Sequence, residues 1–132
     1  MAGENASTFI LDPPATVWAP AGTMSNPPGN SRGNGGVVIL PLSTSGGTST
    51  QILTAGGNTG QNGAGCPTNT SEIYTVGAST PWAPFPGNNR CMCYARYNHN
   101  MVLLADGTVL AVQGGNGETG MMDDYAGPNR NA

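Results

Sequence analysis

The sequence predicts an all-β protein, and three observations carry that reading. Apolar residues come in short runs, such as Val37-Val38-Ile39-Leu40, Ile52-Leu53 and Met101-Val102-Leu103-Leu104, each bounded by glycine, proline or a turn dipeptide. Glycine (21) and proline (11) punctuate all 132 residues, and no stretch holds a helical period long enough for a helix. The same order of arginine, apolar run, second apolar run and glycine pair also occurs twice.

Residues 1–8 read as a flexible lead-in. Phe9-Ile10-Leu11 is a short strand stopped by Asp12-Pro13-Pro14, since prolines supply no ladder donors. Val17-Trp18-Ala19-Pro20 follows as a strand with an aromatic anchor, and residues 22–36 form a turn-rich connection. Val37-Val38-Ile39-Leu40 has the continuous apolar character of a buried strand and ends at Pro41. A polar loop leads to Gln51-Ile52-Leu53-Thr54-Ala55 and then Gly56-Gly57-Asn58. Residues 58–70 lack periodicity and read as an exposed loop. Ser71-Glu72-Ile73-Tyr74-Thr75-Val76 alternates with period two, which predicts a half-buried strand with Glu72 toward solvent. Trp82-Ala83-Pro84 repeats the earlier tryptophan strand. Met101-Val102-Leu103-Leu104 and Thr108 to Val112 then flank Asp106-Gly107, a dipeptide that favours a two-residue hairpin turn. Gly114-Gly115 ends that hairpin, and residues 119–132 form a Gly-rich, acidic tail expected to be flexible.

Composition excludes several classes of partner. There is no lysine, the four arginines are scattered and the net charge is −3, so no basic patch exists for nucleic acid or an anionic membrane. No segment approaches the length of a transmembrane span. Met1-Ala2-Gly3-Glu4-Asn5 lacks the basic-then-apolar order of a signal peptide. Asn5-Ala6-Ser7 and Asn69-Thr70-Ser71 fit the glycosylation triplet, and the expectation is a secreted, extracellular protein.

The repeat gives the first indication of architecture. Arg32 and Arg96 each precede two apolar runs and a glycine pair, Gly56-Gly57 in one copy and Gly114-Gly115 in the other. Trp18-Ala19-Pro20 and Trp82-Ala83-Pro84 stand at the same offset ahead of each arginine. A period near sixty residues, with four short strands and a Gly-Gly in each unit, is close to the kelch repeat of about 50 residues. Kelch units are four-stranded blades of a β-propeller. The two copies span about 9–58 and 71–116.

The strings ILDPPATVWAPAGTM, SEIYTVGASTPWAPF and ARYNHNMVLLADGTVLAVQGGN resemble blades of the galactose oxidase and glyoxal oxidase group, the secreted copper radical oxidases. In that group an arginine, two residues, a histidine, an apolar run, Asp-Gly, a second apolar run and Gly-Gly recur from blade to blade. The match covers roughly residues 9–118. The resemblance implies about two kelch-type blades of a propeller, an incomplete ring. It also implies a parent enzyme that oxidises a primary alcohol or aldehyde with oxygen and releases hydrogen peroxide. The expected partners are the remaining blades or a C-terminal β-sandwich domain. Copper would be the parent's cofactor, with none held by this segment alone, which is expected to be inactive by itself. The alternative is a non-catalytic kelch module that binds a carbohydrate or protein.

In the family, copper is held by two tyrosines and two histidines, one tyrosine being cross-linked to a cysteine. His99 lies at the matching histidine position, but Asn98 precedes it where the ligand-bearing blade has tyrosine, and Tyr97 is one place too early. A one-residue slip in a strand turns a side chain to the opposite face. His99 is therefore either a metal ligand or a structural histidine at the start of a strand, and the chain has no second histidine. Tyr74 resembles the strand position of the cross-linked tyrosine and equally the ordinary core aromatic of that strand. Cys66, Cys91 and Cys93 permit one disulfide, from Cys66 to Cys91 or Cys93. Cys91 and Cys93 with His99 are a partial metal set that nothing completes. Gly115 to Gly120 satisfies G-x-G-x-x-G, but no helix follows to receive a pyrophosphate. The blade itself explains Trp18, Arg32, Gly56, Gly57, Trp82, Arg96, Gly114 and Gly115, with Asp106 and Gly107 as turn residues.

Overall fold

The computed structural model describes residues 7–11, 14, 16–24, 32–41, 49–58, 67–85, 92 and 94–115. The lead-in before Ser7, the tail after Gly115 and all three cysteines lie outside the described residues. Within them the protein is all-β, with eight strands: β1 (Ser7–Ile10), β2 (Ala19–Thr23), β3 (Gly36–Leu40), β4 (Gln51–Ala55), β5 (Ser71–Thr75), β6 (Trp82–Pro84), β7 (Asn100–Leu103) and β8 (Val109–Val112). They form three antiparallel sheets: β1-β2, the four-stranded meander β3-β4-β5-β6, and β7-β8. The sheets divide the chain near residues 36 and 84, so each sequence repeat contributes strands to more than one sheet.

The central sheet shows why alternation in sequence becomes two packed faces. Side chains alternate along each strand, so register assigns whole rows to one side or the other. Ile39, Ile52, Tyr74 and Trp82 are paired across the four strands on one face. Val38, Leu53, Ile73 and Ala83 form the adjacent row on the opposite face. Both faces are covered in part. The first meets β1-β2, where Trp82 Nε1 donates to Thr8 Oγ1 at 2.9 Å. The second meets β7, whose Met101 side chain lies against Gly36. A sheet covered on both faces buries successive positions of its inner strands, and Ser71, Glu72, Ile73 and Tyr74 are all buried.

That burial overturns the sequence expectation for Glu72. Period two predicts a solvent-facing carboxylate, yet Glu72 is 0 % exposed and lies beneath the guanidinium of Arg32. The alternation is real, but the face it selects is covered by a second layer. Two smaller differences have local causes. The β7-β8 turn has three residues, Ala105-Asp106-Gly107. Gly107 N–H donates to Leu104 O at 3.0 Å, and Leu104 N–H donates to Thr108 O at 2.8 Å. Gly107, at φ 85°, supplies the left-handed residue that closes such a turn with a bulge. The hydroxyl and N–H of Thr108 both donate to Asp106 Oδ1, at 2.7 and 2.9 Å, and hold that exposed carboxyl below its ordinary pKa. The tryptophan strand β2 starts after Trp18 and runs on through Gly22 to Thr23. Gly22 has φ 107° and faces Pro81, where a Cβ would lie only 2.8 Å from the proline Cγ.

Tyr74 and Trp82 form a cross-strand pair with ring centroids 5.2 Å apart and planes at 62°. The indole also joins β6 to β1 through Thr8, so one residue ties two sheets together. Trp82→Ala is expected to cost about 2–3 kcal/mol in urea unfolding, and Trp82→Phe, which loses chiefly the hydrogen bond, about 1 kcal/mol. Equal losses for the two variants would show that the ring pair contributes nothing beyond the hydrogen bond.

Candidate functional site

The residues singled out by the repeat converge where the arginines meet the strand ends. Arg32 enters from the segment before β3 and is 5 % exposed. Its Nη1 donates to Gly56 O at 2.9 Å and Thr70 O at 2.8 Å, and its Nη2 donates to Thr70 Oγ1 at 2.7 Å. Its Nε lies 3.7 Å from Glu72 Oε2 in an ion pair closed to solvent. A planar guanidinium with five donors suits this task, because it serves two carbonyls, a hydroxyl and a carboxylate at once. Arg96 stands in the equivalent place before β7, also 5 % exposed, and donates to Gln113 O at 3.3 Å.

The second copy is shifted by one residue against the glycine spelling. Gly56 and Gly57 have φ values of 64° and 92°, and the matching pair is Gln113 and Gly114, at 63° and 92°. The bridges agree: Asn58 pairs with Gly33, and Gly115 pairs with Tyr97. Asn34 and Asn98 also share a left-handed conformation, at 57° and 52°. Gly114-Gly115 therefore does not superpose on Gly56-Gly57. Conformation, and not residue type, sets the register, and a glutamine occupies one left-handed position.

His99 sits between these two arginine junctions, on the residue before β7. Its imidazole is enclosed by glycines from three directions. A Cβ on Gly36 would lie 2.6 Å from Nε2, one on Gly56 2.6 Å from Cε1, and one on Gly114 2.9 Å from the histidine Cβ. The residue is 5 % exposed, and neither ring nitrogen finds a hydrogen-bond partner among the described residues. Burial, with the nearby Arg96 charge second, lowers its pKa from 6.5 to about 4, so the ring is neutral near pH 7. Met101 and Met92 complete the enclosure: a Cβ on Gly36 would meet Met101 Sδ at 2.6 Å, and one on Gly56 would meet Met92 Cε at 2.9 Å. The backbone binds the two copies here, with Gly57 N–H donating to Arg96 O and Asn98 N–H to Asn34 O, both at 2.8 Å.

The other sequence candidates are dispersed. Tyr74 is buried edge-on against Trp82, on the sheet face toward β1-β2, whereas His99 lies on the face toward β7. Tyr97 is buried, with its ring against Gly115. No cluster of three or more His, Cys, Asp or Glu exists among the described residues. Trp18, 48 % exposed, borders an apolar groove of about 330 Å³ with Phe9, Val37, Tyr74 and Trp82. A second groove, about 540 Å³, is lined by Leu40, Leu53, Phe85, Met101, Val109 and Ala111 beside β8.

Sequence reasoning missed Thr70, Glu72 and Gln113. The signal for Glu72 was present, as a carboxylate flanked by serine and isoleucine within an alternating strand of a chain with few charges. Gln113 acts through its backbone carbonyl, and Thr70 through its carbonyl as well as its hydroxyl, and residue type does not announce a carbonyl. No family model and no curated protein matches this chain.

Proposed function

We propose that this chain forms blades of a galactose-oxidase-like β-propeller and serves a copper radical oxidase as part of its scaffold, without completing a copper site of its own. The observation that carries the reading is the four-stranded antiparallel meander β3-β6, flanked on its two faces by β1-β2 and β7-β8. The recurrence of a buried arginine bonding a carbonyl just after the second strand supports it, as Arg32 does to Gly56 and Arg96 to Gln113. In this reading β3-β6 is one blade, β1-β2 the outer half of the blade before it, and β7-β8 the inner half of the blade after it. The arginine side chains brace strand ends within a blade, the glycines around His99 let the next blade approach, and the parent oxidises a primary alcohol or aldehyde at a centre built mostly from other segments.

A second reading, a non-catalytic kelch module for carbohydrate or protein, is favoured by the enclosure of His99. A histidine walled in by Gly36, Gly56 and Gly114 has no open side for substrate.

Purified chain supplied with copper(II) is expected to produce no hydrogen peroxide from galactose or glyoxal in a peroxidase-coupled assay. Sustained turnover would overturn the scaffold role. Reading the coding sequence on either side separates the two functions. A Tyr-His pair in a later blade and a histidine in a following β-sandwich support the oxidase, and a chain closed by stop codons without them supports the module.

A further inference from the structure

We infer that Asn34-Gly35 is a site of spontaneous modification, where loss of the asparagine amide leads to an isoaspartate linkage that loosens the junction between the two repeats. The reagent is the chain's own backbone. The nitrogen of the residue after an asparagine attacks the side-chain carbonyl carbon. A new N–C bond forms, the bond from that carbon to the amide nitrogen breaks, and ammonia leaves with the peptide proton. The product is a five-membered succinimide. Water then opens the ring at either carbonyl. One opening gives an ordinary aspartate, and the other an isoaspartate whose main chain runs through the former side chain. No oxidant, metal or enzyme takes part.

A folded chain permits this where three conditions meet, and they meet at Asn34. The side chain must be open to water and unheld. Asn34 is exposed, and its side-chain amide makes no hydrogen bond among the described residues. The attacking nitrogen must be free. Gly35 lies between the Gly33–Asn58 and Gly36–Ala55 pairs, and its N–H donates to nothing among the described residues. The following residue must also lack a side chain that blocks the approach, and glycine does. Asn34 itself holds φ 57°, a left-handed conformation that asparagine tolerates better than most residues. Among the described residues it is the one asparagine followed by glycine.

Asn98 supplies a matched control inside the same molecule. It occupies the corresponding place in the second repeat, at φ 52°, and is likewise exposed with an unbonded side-chain amide. The whole β3-β6 sheet is already packed beside it, with Asn98 N–H donating to Asn34 O at 2.8 Å. Exposure at this position therefore persists when a neighbouring sheet is in place, and does not come from a missing layer. The difference lies in the next residue. Asn98 is followed by His99, whose imidazole is fixed among Gly36, Gly56 and Gly114, so the attack is hindered there.

The consequence is local and specific. Asn34 sits where backbone bonds join the repeats: its carbonyl receives Asn98 N–H, and Gly33 beside it exchanges bonds with Asn58 at 3.1 and 2.7 Å. Space is tight, since a Cβ on Gly57 would lie 3.0 Å from Gly35 N. An isoaspartate adds one carbon to the main chain at this point and turns the carbonyl that serves Asn98 into a free carboxylate. The aspartate product leaves the main chain as it was and only adds a charge at an exposed position.

The test incubates the full 132-residue chain for weeks in neutral and mildly alkaline buffer made with heavy-oxygen water. Peptide mass mapping locates the label, and protein isoaspartate methyltransferase marks the isomer. Position 34 is expected to take up label at least about tenfold faster than position 98, because only the first is followed by glycine. The rate should rise with pH, since the attacking nitrogen must shed its proton. Asn34→Gly, which keeps the left-handed backbone, should abolish labelling there. Equal labelling at the two positions would overturn the site, and so would an amide at position 34 that survives in the native chain and is lost only in urea. The isoaspartate form, resolved from the aspartate form by ion exchange, should show Asn98 N–H exchanging with deuterium at least about tenfold faster than in fresh protein. The aspartate form should match fresh protein. Unchanged exchange in the isoaspartate form would overturn the loosening of the junction.

Discussion

Replacing Arg32 with methionine is expected to cost about 3–5 kcal/mol, measured as the drop in urea-unfolding free energy. That is a large share of the roughly 5–15 kcal/mol that holds a typical domain together. The reason is what the substitution leaves behind. Glu72 is wholly buried, and its ion-pair partner is the guanidinium 3.7 Å away. The carbonyl of Gly56 and the hydroxyl of Thr70 also lose the guanidinium's hydrogen bonds in the same change, while Thr70 O keeps the Gly56 N–H at 3.0 Å. Removing one member of a buried charged pair costs more than the pair contributes, because the survivor stays desolvated. Arg32→Met combined with Glu72→Leu should therefore be more stable than Arg32→Met alone, though short of the native chain because Gly56 O and Thr70 Oγ1 lose the guanidinium. Arg32→Lys should fall between, as one ammonium cannot reach all four acceptors. A double variant less stable than either single one would show that the carboxylate is held by other groups.

Stability is also expected to fall by about 3 kcal/mol between pH 6.5 and pH 4 on account of His99 alone. The folded chain holds the imidazole neutral, with its pKa lowered from 6.5 to about 4 by burial and by the neighbouring Arg96. Above pH 6.5 neither folded nor unfolded chain protonates the ring, so this contribution is fully present. As pH drops through 6.5 the unfolded chain takes up a proton that the folded chain refuses, and the balance moves toward unfolding. Below about pH 4 both states are protonated and the loss is complete. His99→Asn cannot titrate, so the difference between native and variant unfolding free energies at pH 7, 5.5 and 4.5 isolates the term. Carboxylates contribute equally to both and cancel. Parallel pH profiles for the two proteins would mean that His99 is solvated in the folded state.

Much of the strand pattern was legible because strand formation here is local. Val37-Val38-Ile39-Leu40 is a continuous apolar run, Gln51–Ala55 a short stretch ended by a glycine pair, and Ser71–Thr75 alternates with period two, and all three are strands. Asp106-Gly107 marked the β7-β8 turn, although the turn holds three residues, because a type I geometry followed by a left-handed glycine fits the same dipeptide. The site was legible only in part. The repeated arginines stood out in the sequence, and both are buried at strand ends. Their acceptors did not stand out, since Gly56 O, Thr70 O and Gln113 O are backbone atoms.

His99 shows the division most clearly. The sequence marks it as the single histidine, one residue out of step with a tyrosine–histidine pair. It does not reveal that Gly36, Gly56 and Gly114, distant in the chain, close around the ring. Nor does period two reveal which face of a strand is covered, and so Glu72 reads as solvated while lying wholly buried. The sequence by itself determined the all-β class, the strands and the repeated arginine, because hydrophobic period and turn chemistry act over a few residues. Only the tertiary structure decided what those residues meet, because burial, ion pairing and the neutrality of His99 arise where sheets stack, between residues far apart in sequence.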